Sequence, residues 1–386
     1  MALEPSRLGG RRFAAGVAAA AVAGAAAVLG MRPPRPRPAD IPASEFSAIR
    51  AHRVLAALVG DGVSHPEGSP GAAAIRERIA SEFRRIGDVP AVRTAFVCDT
   101  WGTCGTVSNV VVERPGEAGR KAVLFSAHYD SVSAGPGASD DGMGVAALVE
   151  VARALRAAPL RRPTVFLIDD GEEQGLLGAR AFADSREATG ILADVNLEAR
   201  GTSGPSFLFE TSEGDRWLAR LFSRLPHPAT SSLFATIYRA MPNDTDLTVF
   251  RAHRIAGINF ACIGGVVRYH TPRDDVAHAD LRTLQHHGEN ALAMARALDG
   301  APESADGADA VWFDLLGRTV VGWPASATLP AAILVGVLAA AGTALRLRSP
   351  AVTVGRFALG LAAVVATVVA AAAAAAAVSA ALRTTG

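Results

Sequence analysis

The chain has 386 residues, with 38 basic and 37 acidic side chains, a formal net charge of +1 at pH 7 and 50% hydrophobic residues. So even a balance makes no long-range field for nucleic acid or for a strongly anionic partner. The mean hydropathy of +0.24 suits one globular domain joined to membrane segments.

Behind Arg7, Arg11 and Arg12, the apolar stretch 13–31 is long enough to span a bilayer and reads as an uncleaved anchor. Its small residues also suit a cleaved signal peptide. Arg32-Pro-Pro-Arg-Pro-Arg-Pro38 follows as a stiff linker. Farther along, Ile75, Ile79, Phe83 and Ile86 share one face of a helix expected over residues 73–86. Cys98 and Cys104 flank a short loop that a disulfide would close, which favours an oxidising compartment. Cys-x5-Cys lacks a second matching pair and so does not suggest zinc ligands, while Cys262 reads as a small core residue.

Residues 121–127 have the pattern of a buried strand; His128 emerges at its end, and Asp130 follows two residues later on the same face. A carboxylate there can orient the imidazole by taking its second N–H, as partners of metal-bound histidines do. Alone, His-x-Asp is a common structural pair. Next, Gly135-Pro-Gly-Ala-Ser-Asp-Asp-Gly-Met-Gly144 opens an amphipathic helix marked by Val145, Leu148, Val149, Ala152 and Leu155. Asp141 fits as its N-cap, leaving both oxygens of Asp140 free to bridge two cations.

Residues 164–169 form another strand, and Glu172 and Glu173 follow it. Adjacent glutamates point different ways, so one can ligate a metal while its neighbour carries protons. In isolation the pair would be an acidic turn on a solvated edge. Two further runs, residues 194–198 and 257–263, end on Glu198 and lead to His270, and a helix over residues 281–298 closes the domain. Because His128, Asp140, Glu172, Glu173, Glu198 and His270 all sit at or just beyond apolar runs, a parallel or mixed sheet in an α/β fold delivers them to one rim. Such a cluster of hard and borderline ligands implies metal.

In order and spacing, His128-Tyr-Asp-Ser131, Gly137-Ala-Ser-Asp-Asp-Gly142, Gly171-Glu-Glu-Gln-Gly-Leu-Leu-Gly-Ala-Arg180, Asn196-Leu-Glu-Ala-Arg-Gly201 and Tyr269-His-Thr271 resemble the M28 family of co-catalytic zinc aminopeptidases. Asn-Leu-Glu-Ala, His65-Pro-Glu-Gly-Ser69 and Asn243-Asp-Thr-Asp246 look most like its membrane-embedded branch, the endoplasmic reticulum metallopeptidases and their vacuolar relatives. The resemblance runs over residues 49–298 and implies a three-layer α/β/α sandwich with a mixed, mainly parallel central sheet. It also implies two zinc ions: Asp140 bridging, His128 and Glu198 completing one site, Glu173 and His270 the other. Glu172 becomes the general base and Asp130 the outer partner of the site. Glu198 stands where many soluble members have aspartate. The tyrosine with which some members support the transition state has no secure equivalent; Tyr238 and Asn243 lie in the corresponding stretch.

Beyond this region, residues 325–345 and 357–382 are two candidate spans, separated by an arginine-bearing connection at 346–356. Placing that connection in the cytoplasm puts the catalytic domain outside the cell membrane, although Arg32, Arg35 and Arg37 argue the other way. The expected organisation is an anchor and linker over residues 1–38, a zinc peptidase domain over 39–310, and a membrane region with two helices over 311–386. The expected function is a membrane-anchored dizinc exopeptidase, an aminopeptidase, with peptide substrates. Two rivals are a glutaminyl-peptide cyclase with one zinc, and a non-catalytic receptor-like ectodomain; the complete ligand set argues against the latter.

Overall fold

The computed structural model describes residues 30–303 and 307–348, together with residues 16–18, 21–22, 24–25, 355, 358–362, 364–366 and 369. The expected spans at residues 13–31 and 357–382, with most of the connection before the latter, lie largely outside the described residues. The chain divides into two units, Met1–Ala325 and Ser326–Gly386.

In the first unit, helices α1 (Ala48–Val59) and α2 (Pro70–Arg85) precede a hairpin of β1 (Ala91–Cys98) and β2 (Cys104–Arg114). Then come β3 (Ala122–His128), α3 (Gly142–Ala157), β4 (Thr164–Asp169), α4 (Leu177–Ala183), β5 (Ile191–Ala199) and β6 (Phe207–Thr211). Helices α5 (Ser232–Arg239) and α6 (Asp246–Ala252), strand β7 (Ala256–Cys262), helix α7 (Leu281–Asp299) and the hairpin of β8 (Ala310–Leu315) and β9 (Thr319–Pro324) complete it. Helix α2 starts three residues earlier than its apolar face suggested. The hydroxyl of Ser69 accepts from Ala72 N at 3.0 Å, and Pro70 sits in the first turn, where its missing N–H costs nothing. Cys98 and Cys104 face each other across β1 and β2 and form the expected disulfide.

Seven strands form one mixed sheet in the order β1-β2-β4-β3-β5-β7-β6. The central neighbours β4, β3, β5 and β7 run parallel, and every pairing that involves β1, β2 or β6 is antiparallel. The sheet is therefore parallel at its centre and antiparallel towards both edges. Strands β4 and β5 are buried along their whole length, as strands covered on both faces must be. Alternation sorts their side chains: Phe125 and Phe166 enter a core with Leu55, Leu148 and Leu292 from α1, α3 and α7. Leu124, Val165 and Leu167 enter the opposite core with Phe182 and Phe250 from α4 and α6. Helices thus cover both faces of the sheet, giving three layers. Each fully buried Leu or Phe contributes about 1.5–3 kcal/mol, so these two cores fix the strand ends that carry the site.

Two boundaries differ from the sequence expectation. The segment that starts at residue 310 is the β8–β9 hairpin of the first unit, not the beginning of a membrane region. Trp312 explains why: it is 2% exposed, its ring lies 5.3 Å from that of Phe222, and its indole N–H donates to Thr230 Oγ1 at 2.9 Å. At the other end, the proline–arginine linker lies along α7. Arg282 donates to the carbonyl of Pro33 at 2.6 Å, and Arg37 N donates to Gln285 Oε1 at 2.9 Å.

The second unit contains α8 (Thr328–Leu347). Its apolar segment, Ala325–Arg346, has a mean hydropathy of 2.0, none of it buried, and is the one segment among the described residues long and apolar enough to cross a membrane.

Candidate metal centre

Four parallel strands end on one rim, and that rim carries the chemistry. His128 is the last residue of β3, paired in register with Asp169 at the end of β4. Glu198 lies next to last in β5, while His270 follows the loop beyond β7. These residues form two groups able to hold a cation, His128 with Asp140 and Glu198, and Asp140 with Glu173 and His270. His128 Nε2 lies 3.6 Å from Asp140 Oδ1 and 3.9 Å from Glu198 Oε2. On the other side, His270 Nε2 lies 3.1 Å from Asp140 Oδ2 and 2.9 Å from Glu173 Oε1. The two oxygens of Asp140 therefore face opposite ways, one to each imidazole. Each group offers one imidazole nitrogen and two carboxylate oxygens, a donor set that suits zinc. Glu173 Oε1 is buried and, despite that 2.9 Å approach, takes no hydrogen bond in geometry. A buried carboxylate oxygen left without a hydrogen bond beside an imidazole nitrogen fits a cation between the donors.

Electrostatics agree. Burial pushes Glu198 and Glu172 well above the usual carboxylate range, with Glu172 acting on Glu198, and Asp246 and Glu173 acting on Glu172. For His128, burial acts against the charged ring, yet hydrogen bonds to Asp130 and Asp140 prevail and raise it. His270 is likewise raised to about 9, because Asp140 and Glu173 outweigh its desolvation. Both rings sit where the surrounding carboxylates attract positive charge, which a metal would supply in place of protons.

The support around these ligands is made largely by backbone donors. Asp130 was expected to orient His128, but His128 Nδ1 lies 3.0 Å from the carbonyl oxygen of Asp130 and 3.5 Å from its carboxylate. The carboxylate instead accepts the backbone N–H of Glu172 at 3.0 Å and of Glu173 at 3.2 Å. It thus positions Glu172 and Glu173 together. His65 anchors the same turn, since its N–H donates to Ser131 Oγ at 2.9 Å. Asp141 caps α3 as expected, accepting from Gly144 N at 3.0 Å. His270 has φ of +57°, a left-handed backbone uncommon outside glycine, and its ring meets Asp140 and Glu173.

Three features lay beyond the sequence reading. Asp274 accepts the backbone N–H groups of Ser139 and Asp140 at 2.8 and 3.1 Å, so it fixes the loop of the shared carboxylate. Asp169 and Asp246 are both buried beside the centre, and the burial that raises Asp169 is reinforced by Asp246. The third feature is a cavity of about 440 Å³, lined by Asp140, Glu172 and Glu198 together with Phe207, Phe209, Phe234 and Tyr238. The Tyr238 hydroxyl is buried and has no hydrogen-bond partner among the described residues. Short-range sequence gives no sign of Asp274 or of the cavity, because both assemble residues from distant elements.

Comparison with known proteins gives the same picture. Residues 109–295 match the model of Peptidase family M28. Endoplasmic reticulum metallopeptidase 1 of Rattus norvegicus is 33% identical over 267 residues, which are 65% of this chain and 30% of that protein. Vacuolar membrane protease of Aspergillus clavatus is 37% identical over 223 residues, 53% of this chain and 23% of that protein. This chain thus spans less than a third of the length of these curated relatives. Among solved structures, a glutaminyl cyclase from an Acidobacteriales bacterium has a TM-score of 0.53 at 19% identity, covering 69% of this chain and 99% of its own. A Zn-dependent exopeptidase from Parabacteroides distasonis has a TM-score of 0.51 at 19% identity, covering 65% of this chain and 98% of its own. At that identity the likeness shows a shared fold, common to cyclase and exopeptidase. The span that matches peptidase family M28, residues 109–295, includes all five residues of the two donor groups, His128, Asp140, Glu173, Glu198 and His270.

Proposed function

We propose that this protein is a membrane-anchored dizinc exopeptidase, an aminopeptidase. The observation that carries this reading is the pair of N/O/O donor groups sharing Asp140, with Glu172 lining the same cavity. In this reading His128, Asp140 and Glu198 hold one zinc, and Asp140, Glu173 and His270 hold the other. When bound, the two ions supply Lewis acidity to the scissile carbonyl and to the attacking water. Glu172 accepts the proton of that water on its carboxylate and passes it to the leaving amine. Asp130 holds Glu172 in place through the backbone bond described above. The partnerless hydroxyl of Tyr238 donates to the charge that develops on the carbonyl oxygen. Burial, followed by Glu210 and Glu198, raises the pKa of this phenol, so it stays a donor at neutral pH.

The apolar segment Ala325–Arg346 supports a membrane anchor. The Cys98–Cys104 disulfide supports an extracytoplasmic site for the catalytic domain. In the proposed multi-pass arrangement the domain spans residues 39–310 with the β8–β9 hairpin added.

The test is an assay of the full chain, purified in detergent with zinc, on Leu-Phe, N-acetyl-Leu-Phe and Gln-Phe. Release of leucine from the free peptide and not from the acetylated one is expected. Cyclisation of Gln-Phe without hydrolysis of Leu-Phe would overturn the reading in favour of a cyclase. In the same assay Tyr238→Phe should lower kcat by about 10²–10³ with little change in KM, the size expected for one donor to an oxyanion.

A further inference from the structure

Arg200 is a cation without an acidic partner in a cavity built around a metal centre. It is half-buried and lines the same cavity as Glu172 and Glu198. Among the described residues its side chain makes one hydrogen bond, from Nη2 to Asn243 Oδ1 at 3.0 Å, and its guanidinium carbon lies 5.6 Å from the centre of the Tyr269 ring. That ring in turn stacks on His270 at 3.7 Å, so the guanidinium is held one aromatic ring away from a residue of the candidate metal centre. Neither neighbour neutralises it, and no ion pair joins Arg200 to a carboxylate among the described residues. A guanidinium has five donors in a fixed fork that matches a carboxylate bidentately. One is spent on Asn243. A purely structural arginine would use its donors on protein carbonyls, as buried Arg162 does with Leu298, Lys121 and Ala301.

We propose that Arg200 anchors the terminal carboxylate of the substrate, and that the cavity thereby selects apolar dipeptides. The size and wall of the cavity agree with this. About 440 Å³ holds one or two residues rather than a long chain. Phe207, Phe209 and Phe234 offer an apolar surface for a side chain, and the guanidinium is the one cationic side chain in the lining. The proposal deepens the exopeptidase reading and rests on it.

The test compares Leu-Phe with Leu-Phe-amide in two ways. Calorimetric binding uses the full chain carrying Glu172→Gln and loaded with zinc; turnover uses the wild-type chain. The acid should bind about 10- to 100-fold more tightly than the amide, the usual range for a hydrogen-bonded charge pair. The same ratio should appear in kcat/KM, mainly through KM. Arg200→Met should bring both ratios to about one, and Arg200→Lys should retain part of the preference, since it keeps the charge and loses the fork. Equal binding of acid and amide by the Glu172→Gln protein would overturn the anchor, as would an acid-to-amide ratio that Arg200→Met leaves unchanged. A binding preference without turnover of either peptide would sustain the anchor and sink the exopeptidase reading.

Discussion

Glu172→Gln should leave zinc content at the wild-type level and lower kcat by about 10²–10⁴, the usual contribution of a general base. The substitution is nearly isosteric, and the side chain belongs to neither donor group, so its loss does not remove a ligand. Its backbone N–H would still bond Asp130, as it does at 3.0 Å in the native chain. Only the ability to accept a proton is lost. Metal content by elemental analysis and turnover of Leu-Phe on the same preparation check this. Turnover within a few-fold of wild type in a metal-replete variant would remove Glu172 from its role.

Asp140→Ala has the other large effect expected, and it acts on both metals together. One oxygen lies 3.6 Å from His128 Nε2 and the other 3.1 Å from His270 Nε2, so a single substitution strips a donor from each group. What remains is one imidazole and one carboxylate on either side, too few for a stable zinc site. Both zinc ions should be lost. Asp130→Ala, by contrast, should weaken zinc binding by about 10- to 100-fold, as removal of a supporting partner does. It should also lower kcat, because it frees the backbone of Glu172 and Glu173 together. Equilibrium dialysis against buffered zinc separates the two outcomes. Retention of two zinc ions by the Asp140→Ala protein would refute the shared ligand.

The residues that the structure gathers on one rim were legible in the sequence because most of them follow an apolar run that becomes a strand. His128, Glu198 and the Glu172-Glu173 pair stand where β3, β5 and β4 leave the core, and burial of those strands leaves little freedom in where their ends emerge. Asp141 was legible as a cap for a local reason, its bond to Gly144 three residues away. The supports were not legible, since they join segments far apart. Asp274 reaches back across 134 positions to Asp140, and Asp130 across 42 to Glu172. Arg200 was visible only as part of the Glu198 motif; its lack of an acidic partner depends on Asn243 and Tyr269, brought in from other elements. The boundary near residue 310 was misplaced because short apolar strands such as β8 and β9 resemble the flank of a membrane region until Trp312 is seen buried in the core.

The proposed two-metal site is tested most directly by the zinc content of the full chain after dialysis against buffered zinc, with protein quantified by amino-acid analysis. Two zinc ions per chain are expected, falling to none with a chelator, with Leu-Phe hydrolysis lost and then regained as zinc is restored. A plateau at one zinc per chain with full activity would contradict the shared Asp140 centre.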